Sequence, residues 1–252
     1  MAKSGFIVKA RKFIKQRGLK GPNGFLKFVI LNYVEAVNLV SNEFVFKGGN
    51  LIWFYINTPR GTIDLDFATK GINSHEEVKK VLNKASHKIE GITYTLESFV
   101  EVERQGHKGA SAVIKYATED GASNKFEIDV VYALESHLDN IFLNLGTENN
   151  SILAASIESI ITDKIDTSYR FKSGNTRMKD FDDLYRFATS EVTVNKSVIA
   201  SFMKLNNYSK AVDEKWISEE MIKMWESYSK RYDDLPDDIL KVFKTINSVI
   251  LA

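Results

Sequence analysis

Apolar side chains recur along the first forty residues with helical spacing. One predicted helix has its apolar face at Phe6, Ile7, Ala10, Phe13 and Ile14. After the break at Gly21-Pro22, a second helix is predicted over about 23–41, with apolar positions at Phe25, Phe28, Val29, Tyr33, Ala36, Val37 and Val40. We therefore predict a helical N-terminal segment over residues 1–41.

The pattern changes to strands after residue 42. Residues 44–46 are β-prone and end at a glycine pair, after which a short helix begins near Leu51. Between residues 62 and 67 apolar and polar side chains alternate, which predicts a half-buried strand. Asp64 and Asp66 then lie on one face of that strand, and Leu65 lies on the other.

A second group of elements follows. A helix is predicted over 74–90, with Ser74 and Glu77 as a capping box and Gly91 as its end. Strands are predicted over 92–103, 110–118 and 125–132, and only helical signals follow residue 150. The prediction is an α+β fold, with a mixed β-sheet and flanking helices over 42–140 and a helical C-terminal domain over 141–252.

The amino-acid composition excludes several kinds of functional site. The chain of 252 residues has no cysteine, which excludes disulfides, a thiol nucleophile and cysteine-ligated metals. The four histidines are scattered, so a histidine-rich metal site is not expected. The net charge is +1, but residues 1–34 hold eight basic and no acidic residues, which leaves 26 basic and 33 acidic residues elsewhere. This asymmetry suggests a polyanionic partner for the N-terminal segment.

Three interpretations of the basic N-terminal helix stay open. The helix could be a surface helix with a solvated basic face, or its basic face could contact phosphates. It could also bind a membrane surface, although its apolar stripe is short. The sequence shows no secretory signal and no apolar run of membrane-spanning length. We therefore expect a cytoplasmic protein without a membrane partner.

Acidic side chains on two predicted strands suggest a metal site. Asp64 and Asp66 project from one strand face, and Asp129 occupies the polar face of a later strand between Ile128 and Val130. If these strands are neighbours, three carboxylates can bind Mg²⁺ and support phosphoryl transfer. Gly48-Gly49, between a strand and a helix, allows close approach of an anion to backbone N–H groups.

Four runs of residues occur in a characteristic order between about 44 and 187. They are Phe46-Lys47-Gly48-Gly49-Asn50-Leu51, Arg60-Gly61-Thr62-Ile63-Asp64-Leu65-Asp66-Phe67, Glu158-Ser159-Ile160-Ile161-Thr162-Asp163-Lys164 and Arg177-Met178-Lys179-Asp180-Phe181-Asp182-Asp183-Leu184-Tyr185. In combination they resemble the AbiEii/AbiGii-type toxin family of nucleotidyltransferases. Asn50 departs from the family pattern, which has Thr or Ser there.

The resemblance implies a polymerase-β-like nucleotidyltransferase fold and a toxin of a bacterial toxin–antitoxin or phage-defence system. It implies Mg²⁺-dependent transfer of a nucleotide from an NTP to RNA, with the tRNA 3′ end as the expected acceptor and an antitoxin protein as a further partner. The implied metal ligands are Asp64, Asp66 and Asp129. The implied catalytic residues are Asp64, Asp66, Asp129, Lys164 and Asp183. The implied nucleotide-binding residues are Lys47, Gly48, Gly49, Asn50, Arg60, Thr62, Lys164, Arg177 and Asp180.

Other functions remain as alternatives. The same site could serve a phosphotransferase or an enzyme that modifies protein rather than RNA. A non-catalytic nucleotide- or partner-binding module is disfavoured, because all three expected carboxylates are present. A DxD glycosyltransferase lacks support, since no nucleotide-binding βαβ series precedes Asp64.

Overall fold

The computed structural model describes residues 5–19, 21–56, 58–59, 61–104, 107–132, 138–144 and 151–250. Its α-helices are α1 (Gly5–Gln16), α2 (Gly21–Val40), α3 (Gly48–Ile56), α4 (His75–Ala85), α5 (Ile157–Phe171), α6 (Met178–Thr189), α7 (Lys196–Leu205), α8 (Glu219–Ser229) and α9 (Ile239–Ile250). Its strands are β1 (Phe44–Lys47), β2 (Leu65–Thr69), β3 (Lys88–Ile89), β4 (Ile92–Arg104), β5 (His107–Thr118), β6 (Ser123–Val131), β7 (Leu138–Phe142) and β8 (Ser151–Ala155).

The chain divides into two compact units. Unit 1 comprises residues 1–51 and 61–155, and unit 2 comprises residues 52–60 and 156–252. The chain therefore changes unit at three places, which lie within helix α3, between α3 and β2, and between β8 and α5. The predicted segment 1–41 lies in unit 1, and so does the segment 42–140 except for residues 52–60.

Unit 1 contains a mixed eight-stranded sheet in the order β3-β4-β5-β6-β2-β1-β8-β7. The pairs β1–β8 and β2–β6 are parallel, and the other neighbouring pairs are antiparallel. Together with the helices of both units, this sheet confirms the predicted α+β fold class.

Helix α2 is buried on every side over residues 27–37. Ile30, Leu31 and Val34 extend its apolar surface beyond the single predicted face, and a helix that is apolar all round is stable only in a core. Its backbone is also tied to the sheet, because the hydroxyl of Tyr94 donates to the carbonyl of Val29 at 2.8 Å. The second N-terminal helix is therefore a central core element of unit 1.

Helix α1 packs on α2 through aromatic rings. The rings of Phe6 and Phe13 lie 5.7 and 5.5 Å from that of Phe28. Phe6, Ala10 and Phe13 are buried, as the apolar spacing predicts, and the basic side chains occupy the remaining faces.

Two element bounds differ from the sequence prediction, and two strands were not predicted. Strand β2 begins at Leu65, so Asp64 precedes the strand. Helix α4 ends at Ala85 because Ser86 leaves the helical conformation, with φ −85° and ψ 80°, and β3 follows. The segments Leu138–Phe142 and Ser151–Ala155 are strands that the sequence did not reveal, because such short apolar runs do not distinguish strand from helix.

Unit 2 is built around helix α6, which contacts α5, α8 and α9. Asp182, fully buried on α6, accepts hydrogen bonds from the Arg186 Nε at 2.5 Å and the Tyr228 hydroxyl at 2.7 Å. Arg186 also donates two hydrogen bonds to the carboxylate of Asp234, at 2.6 and 3.1 Å. Burial raises the pKa of Asp182, and the bonds from Tyr228 and Arg186 oppose that effect. This network fixes α6 to α8 and to the turn after α8.

No helix in the described parts of the chain is both long enough and apolar enough to cross a membrane.

Candidate functional site

Strand register places Asp66 beside Asp129. In the parallel pairing of β2 with β6, Leu65 faces Ile128, Asp66 faces Asp129 and Phe67 faces Val130. The apolar partners are buried and the two aspartates are only half-buried, so both carboxylates lie on the open face of the sheet. The sequence-predicted neighbourhood of these two acids is thus present.

The same row of the sheet extends on both sides of the aspartates. Lys47 of β1 pairs with Asp66, and Ser111 of β5 pairs with Asp129. Residues paired across strands share a face, so Lys47, which the sequence predicts as a nucleotide ligand, stands next to the two acids. The sequence alone did not identify Ser111 as a site residue, because only the strand order shows that it is a neighbour of Asp129.

Asp64 lies apart from that row. It is exposed and precedes β2, so strand alternation does not extend to it. Within the described ranges, no three His, Cys, Asp or Glu side chains are grouped closely enough to hold a metal ion. The paired acids are therefore Asp66 and Asp129, and the inclusion of Asp64 as a third metal ligand stays a prediction.

The glycine pair lies at the N-terminus of helix α3, as the sequence predicted. Gly48 is the first helical residue and has φ +78°, and a Cβ there would overlap the Asp66 carboxylate. A Cβ on Gly49 would lie 2.7 Å from the Thr62 hydroxyl. Thus Asp66 and Thr62 both flank a helix end whose first N–H groups have no partner within the helix.

Asn50 has a structural function in this arrangement. Its side chain is buried, its Nδ2 donates to the Asp64 carbonyl at 2.8 Å, and its Oδ1 accepts from the Lys27 Nζ at 3.0 Å. The amide thereby connects helix α2 to the residue just before β2. A nucleotide contact from Asn50 would come from its backbone N–H at the helix end rather than from its side chain.

Lys27 is a second residue that sequence reasoning missed. The sequence presented it only as one of eight basic residues near the N-terminus, yet its side chain is buried, with 6% exposure. Its position within an apolar stretch of α2 is the signal that could have identified it, since lysine is rarely buried without a specific partner. Arg60, a predicted nucleotide ligand, lies outside the described residues.

Unit 2 contains the predicted lysine cluster. The Lys164 Nζ donates to Asp180 Oδ1 at 2.9 Å and lies 2.7 Å from Asp183 Oδ2. The Arg177 Nε donates to Asp180 Oδ2 at 2.6 Å. The structure therefore brings together all four residues of the last two sequence motifs that were assigned to the site, and burial leaves only 13% of the Lys164 side chain exposed.

Helix geometry explains this cluster. Lys164 lies on α5, whereas Asp180 and Asp183 lie one turn apart on α6, which α5 contacts. Arg177 precedes α6, and its N–H donates to the Oδ1 of buried Asn175 at 2.9 Å. This bond fixes the chain just before the helix, so the arginine can reach Asp180.

Neighbouring charges determine the protonation states of Lys164 and Asp180. Burial alone would raise the pKa of Asp180, but the positive charges of Lys164 and Arg177 and their hydrogen bonds lower it to about 2. Burial would lower the pKa of Lys164, but Asp183 and Asp180 outweigh it and the pKa is raised. At neutral pH the cluster therefore holds a protonated lysine between carboxylates.

The donor atoms at the sheet fit a magnesium ion. Mg²⁺ in proteins takes hard oxygen ligands, commonly one or two carboxylates, and completes its coordination with water and substrate phosphates. Asp66 and Asp129 supply two adjacent carboxylates, and the missing side chain at Gly48 leaves the space that the Asp66 carboxylate occupies.

The family model described as "Nucleotidyl transferase AbiEii toxin, Type IV TA system" matches residues 33–245. No curated protein matches the chain in sequence.

Two solved structures share the fold. JHP933 from Helicobacter pylori has 19% identity and a TM-score of 0.53, with 88% of each chain covered. MenT4, a nucleotidyltransferase toxin from Mycobacterium tuberculosis H37Rv, has 14% identity and a TM-score of 0.54, with 98% of this chain and 88% of that chain covered. At these identities the likeness concerns the fold.

Gly48→Ala should destabilise the protein more than Gly121→Ala. Both glycines have positive φ, +78° and +88°, but nothing lies within 4 Å of a Cβ at Gly121. We expect about 1 kcal/mol of lost stability at Gly121 from backbone strain, and about 1–3 kcal/mol more at Gly48, where the carboxylate must also move. Chemical denaturation measures both. Equal losses would show that Asp66 does not pack against Gly48.

Asp180→Asn should change the acid sensitivity of the protein. Because the folded pKa is about 2 and the ordinary value is 3.8, the charged form of Asp180 stabilises the fold above about pH 4, and this contribution is lost as the pH falls towards 2. The variant should be less stable by about 2 kcal/mol at pH 7, and the difference should shrink between pH 4 and pH 2. Urea denaturation across pH measures this.

The matched control for that series is Asp139→Asn, at an exposed aspartate on β7. A stability difference between wild type and Asp180→Asn that stays constant from pH 7 to pH 2 would contradict the assigned role of the carboxylate.

Proposed function

The chain belongs to the AbiEii family of nucleotidyltransferase toxins from type IV toxin–antitoxin systems, and we propose that it transfers a nucleotide from an NTP to RNA with Mg²⁺ at Asp66 and Asp129. Family membership makes it a nucleotidyltransferase and a toxin whose system includes an antitoxin. The observation that supports the site is the register of β2 and β6, which puts Asp66 and Asp129 side by side next to the N-terminus of α3.

The residues of unit 1 have distinct roles in this proposal. The backbone N–H groups at Gly48 and Gly49 bind phosphate oxygens of the NTP, because a helix N-terminus attracts anions. Lys47, in the same row as Asp66, contributes positive charge on that face. Bound Mg²⁺ would polarise the phosphate and neutralise its charge. Thr62 and Asn50 hold the segment before β2 against α3.

The transfer itself needs one proton acceptor. The RNA hydroxyl oxygen forms a bond to the α-phosphorus of the NTP, the bond from this phosphorus to the bridging oxygen breaks, and pyrophosphate leaves. The proton of the hydroxyl passes to a carboxylate, for which we assign Asp129. The roles of Lys164, Arg177, Asp180 and Asp183 in nucleotide binding and catalysis rest on the family resemblance and stay predictions.

The acceptor is proposed to be RNA, with the tRNA 3′ end as its expected part. The location in the cytoplasm stays a prediction from the sequence. A phosphotransferase or a protein-modifying enzyme would use the same residues, so the identity of the labelled product decides between them.

Incubation with each α-labelled NTP, Mg²⁺ and total cellular RNA should label RNA. Asp66→Asn and Asp129→Asn should each reduce labelling by about 100-fold or more, because each removes a carboxylate that would hold Mg²⁺ at the reacting phosphate. Asp139→Asn, an exposed aspartate on an edge strand, is the matched control and should retain activity. Asp64→Asn tests whether a third carboxylate is required.

The possible results separate the alternatives. Label on protein would favour the protein-modifying reaction, and absence of any label would favour a binding module. Labelled RNA that persists at full rate in both Asp66→Asn and Asp129→Asn would contradict the proposed site.

Helix α1 is proposed to help hold the RNA. Its buried face packs on α2, whereas Arg11, Lys12 and Lys15 are exposed. Lys9 is less available, because its Nζ lies 2.6 Å from Glu90 Oε1. The structure thus offers three cations on the surface of one helix, which suits phosphate contacts.

Changing Arg11, Lys12 and Lys15 to Glu should weaken RNA binding and flatten its salt dependence. Each lost phosphate contact removes about 0.7–0.9 from the slope of log K against log salt. Filter binding over a salt series measures the slope. The matched control changes the exposed Lys223, Lys241 and Lys244 of unit 2 to Glu, with the same total charge. If both triple variants bind equally, α1 has no specific role.

A further inference from the structure

Unit 2 contains a groove that none of the proposed nucleotide or metal residues lines. Its volume is about 850 Å³, within the range of ligand-binding clefts, and it runs along α8, the turn after α8 and the start of α9. Leu235 and Ile239, only 7% and 2% exposed, line it as buried apolar residues. Ile222 and Leu240 also line it but are 40% and 37% exposed, so apolar surface remains open to solvent.

The charged residues of the groove are mainly acidic. Among the described residues that line it, Lys230 is the one cation, and the carboxylates are Glu214, Glu226, Asp233, Asp237 and Asp238. Lys210 approaches Glu214 at 3.7 Å, an exposed pair that offsets little of this charge. The groove is therefore negative at neutral pH and favours a positively charged ligand.

This charge decides which class of partner fits. Phosphates of RNA, nucleotides and anionic lipids are repelled by the carboxylates, so the groove differs in chemistry from the proposed nucleotide site. Apolar surface beside acidic groups matches a helix that carries apolar residues on one face and Lys or Arg at its borders. We propose that the groove binds a basic amphipathic helical segment of a partner protein.

Helix α1 of a second copy is a poor candidate for this segment. It is basic and amphipathic, but Phe6, Ala10 and Phe13 on its apolar face are already buried within unit 1. Insertion of that face into the groove would first require its release from α2. The occupant is therefore assigned to another protein.

A labelled synthetic peptide tests the proposal with the full-length protein. The probe is an amphipathic helix of Leu and Lys, and the matched peptide has Glu in place of every Lys. Fluorescence anisotropy should show binding of the Lys peptide, weakening with salt because the attraction is electrostatic, and no comparable binding of the Glu peptide. No binding of the Lys peptide, or equal binding of both, would overturn the proposal.

Variants locate the binding surface. Glu226→Lys with Asp237→Lys, both exposed, should weaken binding of the Lys peptide about tenfold. The control pair, Glu191→Lys with Glu220→Lys, has the same charge change at exposed positions that do not line the groove, and it should bind like wild type. Equal weakening in both pairs would show non-specific attraction and overturn the proposal.

A further variant tests how much the apolar side chains contribute to peptide binding. Ile222→Ser with Leu240→Ser keeps the charge and should also reduce affinity, because it removes apolar area that the peptide would cover. Thermal unfolding of each variant confirms that it is folded. Unchanged affinity in the serine variant would contradict a helix seated on these side chains.

Discussion

Strand β2 pairs in parallel with β6 so that Asp66 faces Asp129, and a shift of either strand by one residue would turn the carboxylate of that strand into the core. Their neighbours prevent that shift. Leu65 and Phe67 on one strand, with Ile128 and Val130 on the other, are buried at the alternate positions. The free energy of burying these four side chains therefore also places the acids, and the carboxylate pair of the candidate site results from a packing requirement.

Unit 2 contains buried charged side chains that must be compensated by partners of opposite charge. Its lysine and aspartates are removed from water, and isolated charges in that environment would be strongly destabilising. Lys164 shared between Asp180 and Asp183, and Arg177 on the far oxygen of Asp180, compensate that cost. Such a cluster tolerates the loss of one member poorly, because each remaining charge would stay buried. The low pKa of Asp180 is the consequence of this pairing.

Much of the fold could be predicted where local patterns were long. The helix starting after Ser74, the strands on both sides of Glu119 and the strand–glycine–helix transition at Gly48 all have distinctive local signals. Prediction failed where the local sequence pattern did not distinguish one kind of secondary structure from another. Strands β7 and β8 are short, and the start of β2 depends on its partner strands. The residues of the cluster at Lys164 could be predicted from the sequence motifs, whereas the distances between their charged atoms could not.

The sequence by itself determined which side chains are available to the candidate site. It contains the alternation that separates Asp66 and Asp129 from their buried neighbours, the glycine at position 48, and the acidic and basic partners of Lys164. Only the tertiary structure decided which of them meet. The order of strands made Ser111 and Lys47 neighbours of the aspartates. The start of β2 at Leu65 left Asp64 outside the row, and the hydrogen bond from α2 to α3 joins buried Lys27 to Asn50. The reason is physical, because side-chain alternation is a property of one strand, whereas strand order and register arise from long-range packing.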